Sequence, residues 1–119
     1  MTHRTDKPIF LQIADHICER ILQDVWKTED RIPSVRELSV QFTVNPKTAT
    51  SALNFLEGKN IIFQKRGFGY FVATDGLQQV REMYKAEFLN VDLPNLFRKM
   101  QMLDISIKVV EARYAECCC

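Results

Sequence analysis

The chain has 119 residues, 46% of them hydrophobic and 26% charged, a composition typical of a globular protein with one domain or one domain and an appendage. No apolar run approaches the roughly 20 residues of a membrane span, and the N-terminus lacks a signal-peptide pattern. We therefore expect a cytoplasmic protein with no membrane partner. The net charge is +1, but residues 31–74 hold six Lys/Arg against two Asp/Glu, a net of +4 that predicts a surface facing a polyanion.

The first helix is predicted to begin at Pro8. Apolar residues recur after it at helical spacing, which predicts one buried stripe. The stripe consists of Ile9, Ile13, Ile17, Ile21 and Val25, widened by Phe10, Ala14 and Cys18. The polar stretch DVWKTEDRIP, which begins at residue 24, then predicts a loop.

Two short helices joined by a tight turn are predicted next. Ser34 and Glu37 have the spacing of a capping box, in which the serine caps the helix and the glutamate reaches back. Asn45, a preferred N-cap residue, and Pro46, which suits the first helical position, begin the following helix. The expected buried residues are Val35, Leu38 and Phe42 in the first of these helices and Ala49, Ala52, Leu53 and Leu56 in the second. This arrangement is typical of a helix-turn-helix.

The second of these helices has no acidic residue before Glu57. Acidic side chains usually favour a helix N-terminus, where the dipole is positive. The outward positions instead carry short hydrogen-bonding side chains and one cation: Lys47, Thr48, Thr50, Ser51 and Asn54. Bare amides, the dipole and these side chains favour phosphate and base contacts, so the helix is predicted to enter a DNA major groove. An ordinary solvated helix face is the alternative for this pattern taken by itself.

A basic hairpin is predicted after the third helix. The β-rich runs at residues 61–64 and 70–73 flank a tip that contains Lys65, Arg66, Gly67 and Gly69. The glycines supply the positive φ angles that a tight turn needs. A helix-turn-helix followed by such a hairpin predicts a winged helix over residues 1–74.

Residues 75–119 are predicted to be a short helical dimerisation region. Their apolar stripe is too long for a small appendage to bury alone, so we expect a second copy of the chain to cover it. The predicted dimerisation residues are Leu77, Val80, Tyr84, Phe88, Leu96, Phe97, Met100 and Leu103. Pro94 is expected to kink this helical element or split it in two, and Ser106 is expected to cap a last helix.

Other chemistry is not indicated. No nucleophile elbow or Walker loop occurs in the sequence, so an enzyme is not expected, and neither is a cofactor. Cys117, Cys118 and Cys119 are adjacent, which is poor spacing for a tetrahedral metal site, and we expect a frayed terminus instead of a metal site. Cys18 is expected to be a small core residue.

Four motifs resemble one protein family. They are P-I-F-L-Q-I from residue 8, R-I-P-S-V-R-E-L from residue 31, V-N-P-K-T from residue 44 and R-G-F-G-Y-F-V from residue 66. In this order and spacing they look like the GntR family of bacterial transcription regulators. The short tail, with L-P-N-L-F and M-L-D-I-S, looks like the YtrA-type subgroup, which has a small dimerisation region in place of a large effector domain.

The resemblance implies roles for individual residues. Arg36 stands where the family's second helix contacts DNA, and the recognition helix and the wing supply the remaining implied contacts. These are Asn45, Lys47, Thr48 and Thr50 at the recognition helix and Lys65, Arg66 and Gly67 at the wing, which lies along the minor groove. The sequence departs from the family at Ser51, where relatives often carry Arg. It also departs at Thr28-Glu29 in place of Pro-Gly, and at Asn60 and Asp104 in place of Gly.

We therefore predict a mainly α protein with a small β-hairpin that acts as a homodimer on double-stranded DNA. The expected function is a sequence-specific regulator, a repressor, on a pseudo-palindromic operator. One alternative is a winged helix used for protein–protein contact, which would not require the basic wing and the acid-free helix. Another is a regulator that responds to an unknown small-molecule effector, bound at the dimer interface because the tail is short.

Overall fold

The computed structural model describes residues 7–118, and in the predicted Cys117–Cys119 tail the Cys118 side chain and all of Cys119 lie outside the described part. Its elements are α1 (Ile9–Leu22), α2 (Val35–Phe42), α3 (Pro46–Gly58), β1 (Ile62–Lys65), β2 (Gly69–Val72), α4 (Gly76–Glu87), a π-helical segment (Phe88–Asp92), α5 (Leu93–Leu103) and α6 (Ile107–Cys118). The prediction of a mainly α fold with one small hairpin is confirmed. No helix within residues 7–118 has the length and apolarity that a bilayer crossing requires.

The chain divides into two compact units, and the division falls inside α4, between Glu82 and Met83. The first turns of α4 belong to the first unit because Gly76 packs closely against the residues around the hairpin. A Cβ on Gly76 would lie 2.6 Å from the Ile61 carbonyl oxygen. The first compact unit thus continues beyond Thr74, whereas the functional boundary proposed there stays a prediction.

Helix α1 buries most of the predicted stripe. Pro8 is its N-cap, and the fully buried residues on its inner side are Ile13, Ala14, Ile17, Cys18 and Ile21. The prediction was wrong for the two ends of the stripe, because Ile9 is 46% exposed and Val25 is 51% exposed. Ile9 lies in the first turn, and the helix ends before Val25, where Asp24 adopts a left-handed conformation with φ 64°. Helical spacing therefore no longer applies at Val25.

Both caps of the helix-turn-helix are confirmed. In α2 the Glu37 amide donates to Ser34 Oγ at 3.1 Å, and the Ser34 amide donates to Glu37 Oε1 at 2.9 Å. In α3 the Lys47 amide donates to Asn45 Oδ1 at 2.8 Å, and Pro46 follows the cap. The predicted inner residues with no exposed surface are Leu38, Ala49, Ala52, Leu53 and Leu56, whereas Val35 and Phe42 are only half-buried.

The hairpin is confirmed to within one residue at each strand. Its antiparallel register pairs Ile62 with Val72 and Lys65 with Gly69. Gly67 and Gly69 have φ angles of 86° and 112°, which few other residues adopt. Arg31, ahead of α2, forms an additional bridge with β2 at Phe71, so the loop before α2 borders the wing.

The second unit contains the end of α4, the π-helical segment, α5 and α6. Pro94 was predicted to kink this element or split it in two, and the structure has a π-helical segment just before it, between α4 and α5. Pro94 lies in the first turn of α5 and has no amide hydrogen for a bond to the preceding turn, and wider π turns often occur where regular bonding is interrupted. Asp104, in a left-handed conformation with φ 56°, then ends α5, and α6 begins directly after Ser106.

Candidate nucleic-acid interface

The N-terminal turn of α3 presents hydrogen-bonding side chains and one cation. This turn contains no acidic residue. Lys47 in the first turn and Asn54 further along the helix are both exposed. Thr48, Thr50 and Ser51 are half-buried between them. The residues predicted to meet DNA on this helix therefore share one accessible surface, and the helix dipole adds positive potential at its start.

The expectation of bare amides at this turn was wrong. The Lys47 amide is already bonded to Asn45 Oδ1, and the Thr48 amide donates to the Asn45 carbonyl oxygen at 2.9 Å. Pro46 has no amide hydrogen to offer. An anion at this helix end must therefore be held mainly by side chains.

Two of the predicted contact residues are partly committed to local bonds. The side-chain oxygen of Asn45 caps α3, so the NH₂ group of the same side chain is the part that remains to donate a hydrogen bond to DNA. The Ser51 hydroxyl donates to the Lys47 carbonyl oxygen at 3.0 Å. A hydroxyl whose proton is used in this way can still accept a bond from a base amino group, but it has no proton left for a phosphate oxygen.

Helix α2 adds Arg36, which is exposed in its first turn next to the capping box. Glu37, the acidic neighbour of Arg36, belongs to this capping box. Hydrogen bonds from the Ser34 backbone and side chain lower the pKa of the Glu37 carboxyl. The Arg31 guanidinium, with Nη2 3.6 Å from Glu37 Oε1, acts in the same direction. Because the folded pKa is lowered, the box contributes stability above the ordinary glutamate pKa and loses it as the pH falls through the lowered one.

The wing tip carries exposed cations. Lys65, Arg66 and Gly67 are all exposed, as predicted for a basic tip. Nothing lies within 4 Å of a Cβ built on Gly67, so this glycine is required by its backbone angle and not by packing.

Arg31 is a site residue that the sequence reasoning did not assign. Its Nε donates to the Phe68 carbonyl oxygen at 3.4 Å, while its Nη2 lies near Glu37. One guanidinium therefore joins the wing tip to the first turn of α2. The position of Arg31 two residues before Pro33 gave no signal for this link, because the link depends on tertiary structure.

The predicted dimerisation residues differ in exposure. Val80 is 0% exposed and Met100 is 9% exposed, so both are buried within the single chain and have little surface for a partner. Leu77 and Tyr84 are half-buried. The exposed members of the predicted set are Phe88, Leu96, Phe97 and Leu103. Exposed apolar residues that the prediction did not include are Leu89, Val91, Met102, Ile105, Ile107, Val109 and Tyr114.

Other candidate sites offer less. Cys18 is buried as predicted and Cys117 is exposed, and no group of three metal-ligating side chains occurs within residues 7–118. A cavity of about 240 Å³ lies in the first unit, below the ~300–1,000 Å³ usual for small-molecule pockets. Its lining residues are Ile21, Asp24, Trp26, Lys27, Thr28, Val72 and Leu77.

A capped helix-turn-helix with an acid-free second helix and a basic hairpin defines a winged-helix DNA-binding protein. Residues 10–72 match the family model described as bacterial regulatory proteins, gntR family, and this match covers more than half of the chain. The chain therefore belongs to the GntR family, and it is a transcriptional regulator with a DNA-binding helix-turn-helix. The resemblance to that family noted from the four motifs is confirmed.

Two curated relatives come from Bacillus subtilis (strain 168). The uncharacterized HTH-type transcriptional regulator YhcF is 40% identical over 70 residues, a match that spans 59% of this chain and 58% of the relative. The HTH-type transcriptional repressor YtrA is 28% identical over 118 residues, which covers 88% of this chain and 91% of YtrA. The likeness to YtrA thus extends through the tail, whereas the likeness to YhcF covers little more than half of either chain.

Solved structures agree with this assignment. A putative transcriptional regulator of the GntR family from Bacteroides thetaiotaomicron is 39% identical, with a TM-score of 0.77, over 90% of this chain and 94% of that chain. The DNA-binding domain of AraR in complex with operator ORR3 is 27% identical, with a TM-score of 0.56, over 61% of this chain and 88% of that one. The first unit thus resembles a domain that was solved on its operator.

Proposed function

We propose that this protein is a homodimeric repressor that binds a pseudo-palindromic operator, with one α3 in the major groove of each half-site. The observation that carries the proposal is the acid-free first turn of α3, beside which α2 and the wing add further cations. A protein partner would not require this charge pattern, whereas passage between phosphates does.

The proposed contacts fall into two kinds. Lys47, Thr48 and Thr50 lie where side chains reach base edges, and Asn45 and Ser51 add an amide donor and a hydroxyl acceptor beside them. Four residues have the chemistry of backbone contacts: Arg36, Lys65, Arg66 and the exposed backbone at Gly67. The first kind would set sequence preference, and the second would set affinity and its dependence on salt.

The homodimer is supported by the exposed apolar residues of the second unit. Phe88, Leu96, Phe97 and Leu103 are between 40% and 65% exposed. Burying a side chain of this kind contributes roughly 1.5–3 kcal/mol, so several of them left in water favour association. A second copy of the same chain is the simplest cover, and a twofold axis would space two recognition helices for a pseudo-palindrome.

Repression is supported by the relative YtrA, whose name describes a repressor and which matches this chain over most of both lengths. A dimer on an operator that overlaps a promoter would exclude RNA polymerase by occupancy alone. An effector, if one acts, would bind at the dimer interface.

The test begins with selection of bound duplexes from random DNA by the full-length protein. Anisotropy titrations on the selected motif then compare the wild type with Arg36→Ala. We expect Arg36→Ala to lose at least ~1 kcal/mol of binding free energy, and the wild-type affinity to fall steeply with salt.

Arg20→Ala is the matched control, since Arg20 is an exposed arginine of α1 that lies outside both the proposed DNA interface and the predicted dimerisation region. It should bind like the wild type. Equal affinity for Arg36→Ala and wild type, or an affinity that does not change with salt, would contradict the proposal.

A further inference from the structure

Phe68 is an exposed aromatic residue at the tip of the basic wing. Its side chain is 68% exposed and stands between Gly67 and Gly69, whose positive φ angles form the turn. Single exposed apolar residues are common on protein surfaces, so exposure by itself means little. The surroundings of Phe68 are more informative, because one cation lies near its ring and a second, from a different part of the chain, bonds to its backbone carbonyl.

The two cations are Lys65 and Arg31. Lys65 Nζ lies 5.7 Å from the centroid of the Phe68 ring, within the range of a cation–π contact. Arg31 Nε donates to the Phe68 carbonyl oxygen at 3.4 Å. The guanidinium also lies across Gly69, where an added Cβ would be 3.2 Å from Nε, so the backbone on that side of Phe68 is fixed by a charged group.

The tip also lies beside the helix-turn-helix. Arg31 joins the Phe68 carbonyl to Glu37 in the first turn of α2, the turn that also carries Arg36. When α3 occupies a major groove, a tip on the same side of the unit meets the adjoining groove of the same duplex, which is the minor groove. The walls of that groove are phosphates, which suit the two cations, and its floor consists of base edges, which meet the ring.

The chemistry of the groove floor decides which base pairs accept an apolar ring. An A·T pair presents only acceptors there, whereas a G·C pair adds the N2 amino group of guanine. A phenylalanine ring over that amino group excludes water and offers no acceptor, which leaves the donor unpaired at a cost in free energy. Other DNA-binding proteins insert apolar side chains into the minor groove.

We propose, on the basis of the DNA-binding function above, that Phe68 is a specificity-determining residue whose ring enters the minor groove beside each half-site and selects A·T pairs there. Arg31 is the positioning residue that holds the tip. The selection acts through the absence of the N2 amino group and not through a hydrogen bond to a base.

Modified bases test this proposal at the resolution of one amino group. In the motif selected from random DNA, one flanking A·T pair under the wing is replaced by G·C, by inosine·C, which lacks the N2 amino group, or by diaminopurine·T, which has it. The full-length wild type should bind the G·C and diaminopurine·T duplexes about tenfold more weakly, within the usual effect of one wrong base pair. It should bind inosine·C within about twofold of A·T, because the two present similar acceptors there.

Phe68→Ala should remove this discrimination, with all four duplexes bound within about twofold of one another and an unchanged melting temperature, because the ring is exposed. Phe63→Ala is the matched control. Phe63 is an exposed phenylalanine of the same hairpin, away from the tip and stacked on Phe71 with ring centroids 5.7 Å apart. This variant should discriminate like the wild type.

Two results would overturn the inference while leaving the proposed function in place. Either Phe68→Ala discriminates between the duplexes as the wild type does, or the wild type itself ignores the minor-groove amino group while still selecting a motif through α3. If the wild type selects no motif at all, the proposed function and the inference both fail.

Discussion

The two compact units of this chain bury their apolar residues differently. In the first unit, helical stripes from α1, α2 and α3 meet one another, and residues such as Ile17, Leu38 and Leu53 have no exposed surface. In the second unit, Met100 is buried but Phe97 and Leu103 are 45% and 65% exposed. The sequence patterns are similar in both units. The difference teaches that helical spacing identifies an apolar face but does not identify the chain that covers it.

A charge on the exposed face of the second unit should have the largest effect. Phe97→Glu is expected to give a folded monomer, because this side chain already lies in water in the single chain. Its affinity for the selected two-half-site motif should fall by about 10²–10⁴, since linked binding of two half-sites is lost. Light scattering with reductant and anisotropy measure the two effects.

Val40→Asp is the control for this experiment, because Val40 is an exposed apolar residue of α2 in the first unit. It should leave the molar mass of the dimer unchanged. A Phe97→Glu variant that is still dimeric, or a wild type that is already monomeric, would mean that a second copy of the chain does not cover this face.

A substitution that removes buried side-chain atoms from the core of the first unit should lower the stability of that unit, through a mechanism that does not involve dimerisation. Leu53→Ala is expected to lower the free energy of unfolding by about 2–5 kcal/mol, as for other fully buried leucines. Because this core lies within one chain, the loss in the free energy of unfolding should not depend on protein concentration. Phe97→Glu differs, because it acts on the association of two chains. Urea unfolding at two concentrations checks both statements. A loss that grows on dilution would mean that the first unit also needs a partner.

A substitution at the start of α4, the helix that runs from the first unit into the second, should have the next largest effect. Gly76→Ala adds a Cβ that would lie 2.6 Å from the Ile61 carbonyl oxygen and 3.0 Å from Val72 Cγ1. The start of α4 must move, and we expect a loss of about 1–3 kcal/mol in the free energy of unfolding. Gly58→Ala is the control, since nothing lies within 4 Å of its added Cβ. Equal stability of Gly76→Ala and wild type would mean that the start of α4 does not pack closely against the first unit.

Substitutions in the two kinds of proposed DNA contact should have smaller effects, and these effects should differ in kind. Lys65→Ala at the wing is expected to weaken binding to all sequences and to lower the slope of log affinity against log salt by about one unit. Lys47→Ala in α3 should instead change the selected bases. Selection from random DNA and salt titrations of both variants distinguish the two roles. An unchanged motif for Lys47→Ala would mean that Lys47 does not read bases.

The smallest effects concern non-glycine residues in left-handed conformations. Glu29, Asn60 and Asp104 have φ angles of 67°, 61° and 56°, and at each the sequence departs from a family glycine. Glu29→Gly should stabilise the first unit by about 0.5–1 kcal/mol, because glycine adopts this conformation without the steric cost. Asn60→Gly and Asp104→Gly should gain less, since Asn and Asp tolerate it better. Thermal melts rank the three, and a destabilised Glu29→Gly would contradict the order.

Much of the first unit could be predicted from the sequence, because its signals are local. The spacing of Ala49, Leu53 and Leu56 and the pairs Ser34–Glu37 and Asn45–Pro46 predicted the helix-turn-helix with its caps. Features that depend on tertiary contact were missed. Spacing did not reveal that Arg31 joins Phe68 to Glu37, that Gly76 touches the Ile61 backbone, or that the chain itself buries Val80.

Among the proposed site residues, exposure could be predicted better than chemistry. The sequence indicated that Lys47, Lys65 and Arg66 would be accessible, and the structure has them exposed. The predicted Asn45 cap takes the Lys47 amide, whereas the sequence did not indicate that the Ser51 hydroxyl would donate to a carbonyl of its own helix. These bonds form only when the helix does, and they change which atoms remain for DNA.

The central proposal, a homodimer on paired half-sites, is tested most directly by the stoichiometry and affinity of its DNA complex. Sedimentation of the full-length protein with the selected motif, as an inverted repeat or as one half-site, measures both. We expect two chains per inverted repeat and at least ~100-fold weaker binding to the single half-site, as linkage of two sites requires. One chain per duplex, bound equally well to either DNA, would contradict the proposal.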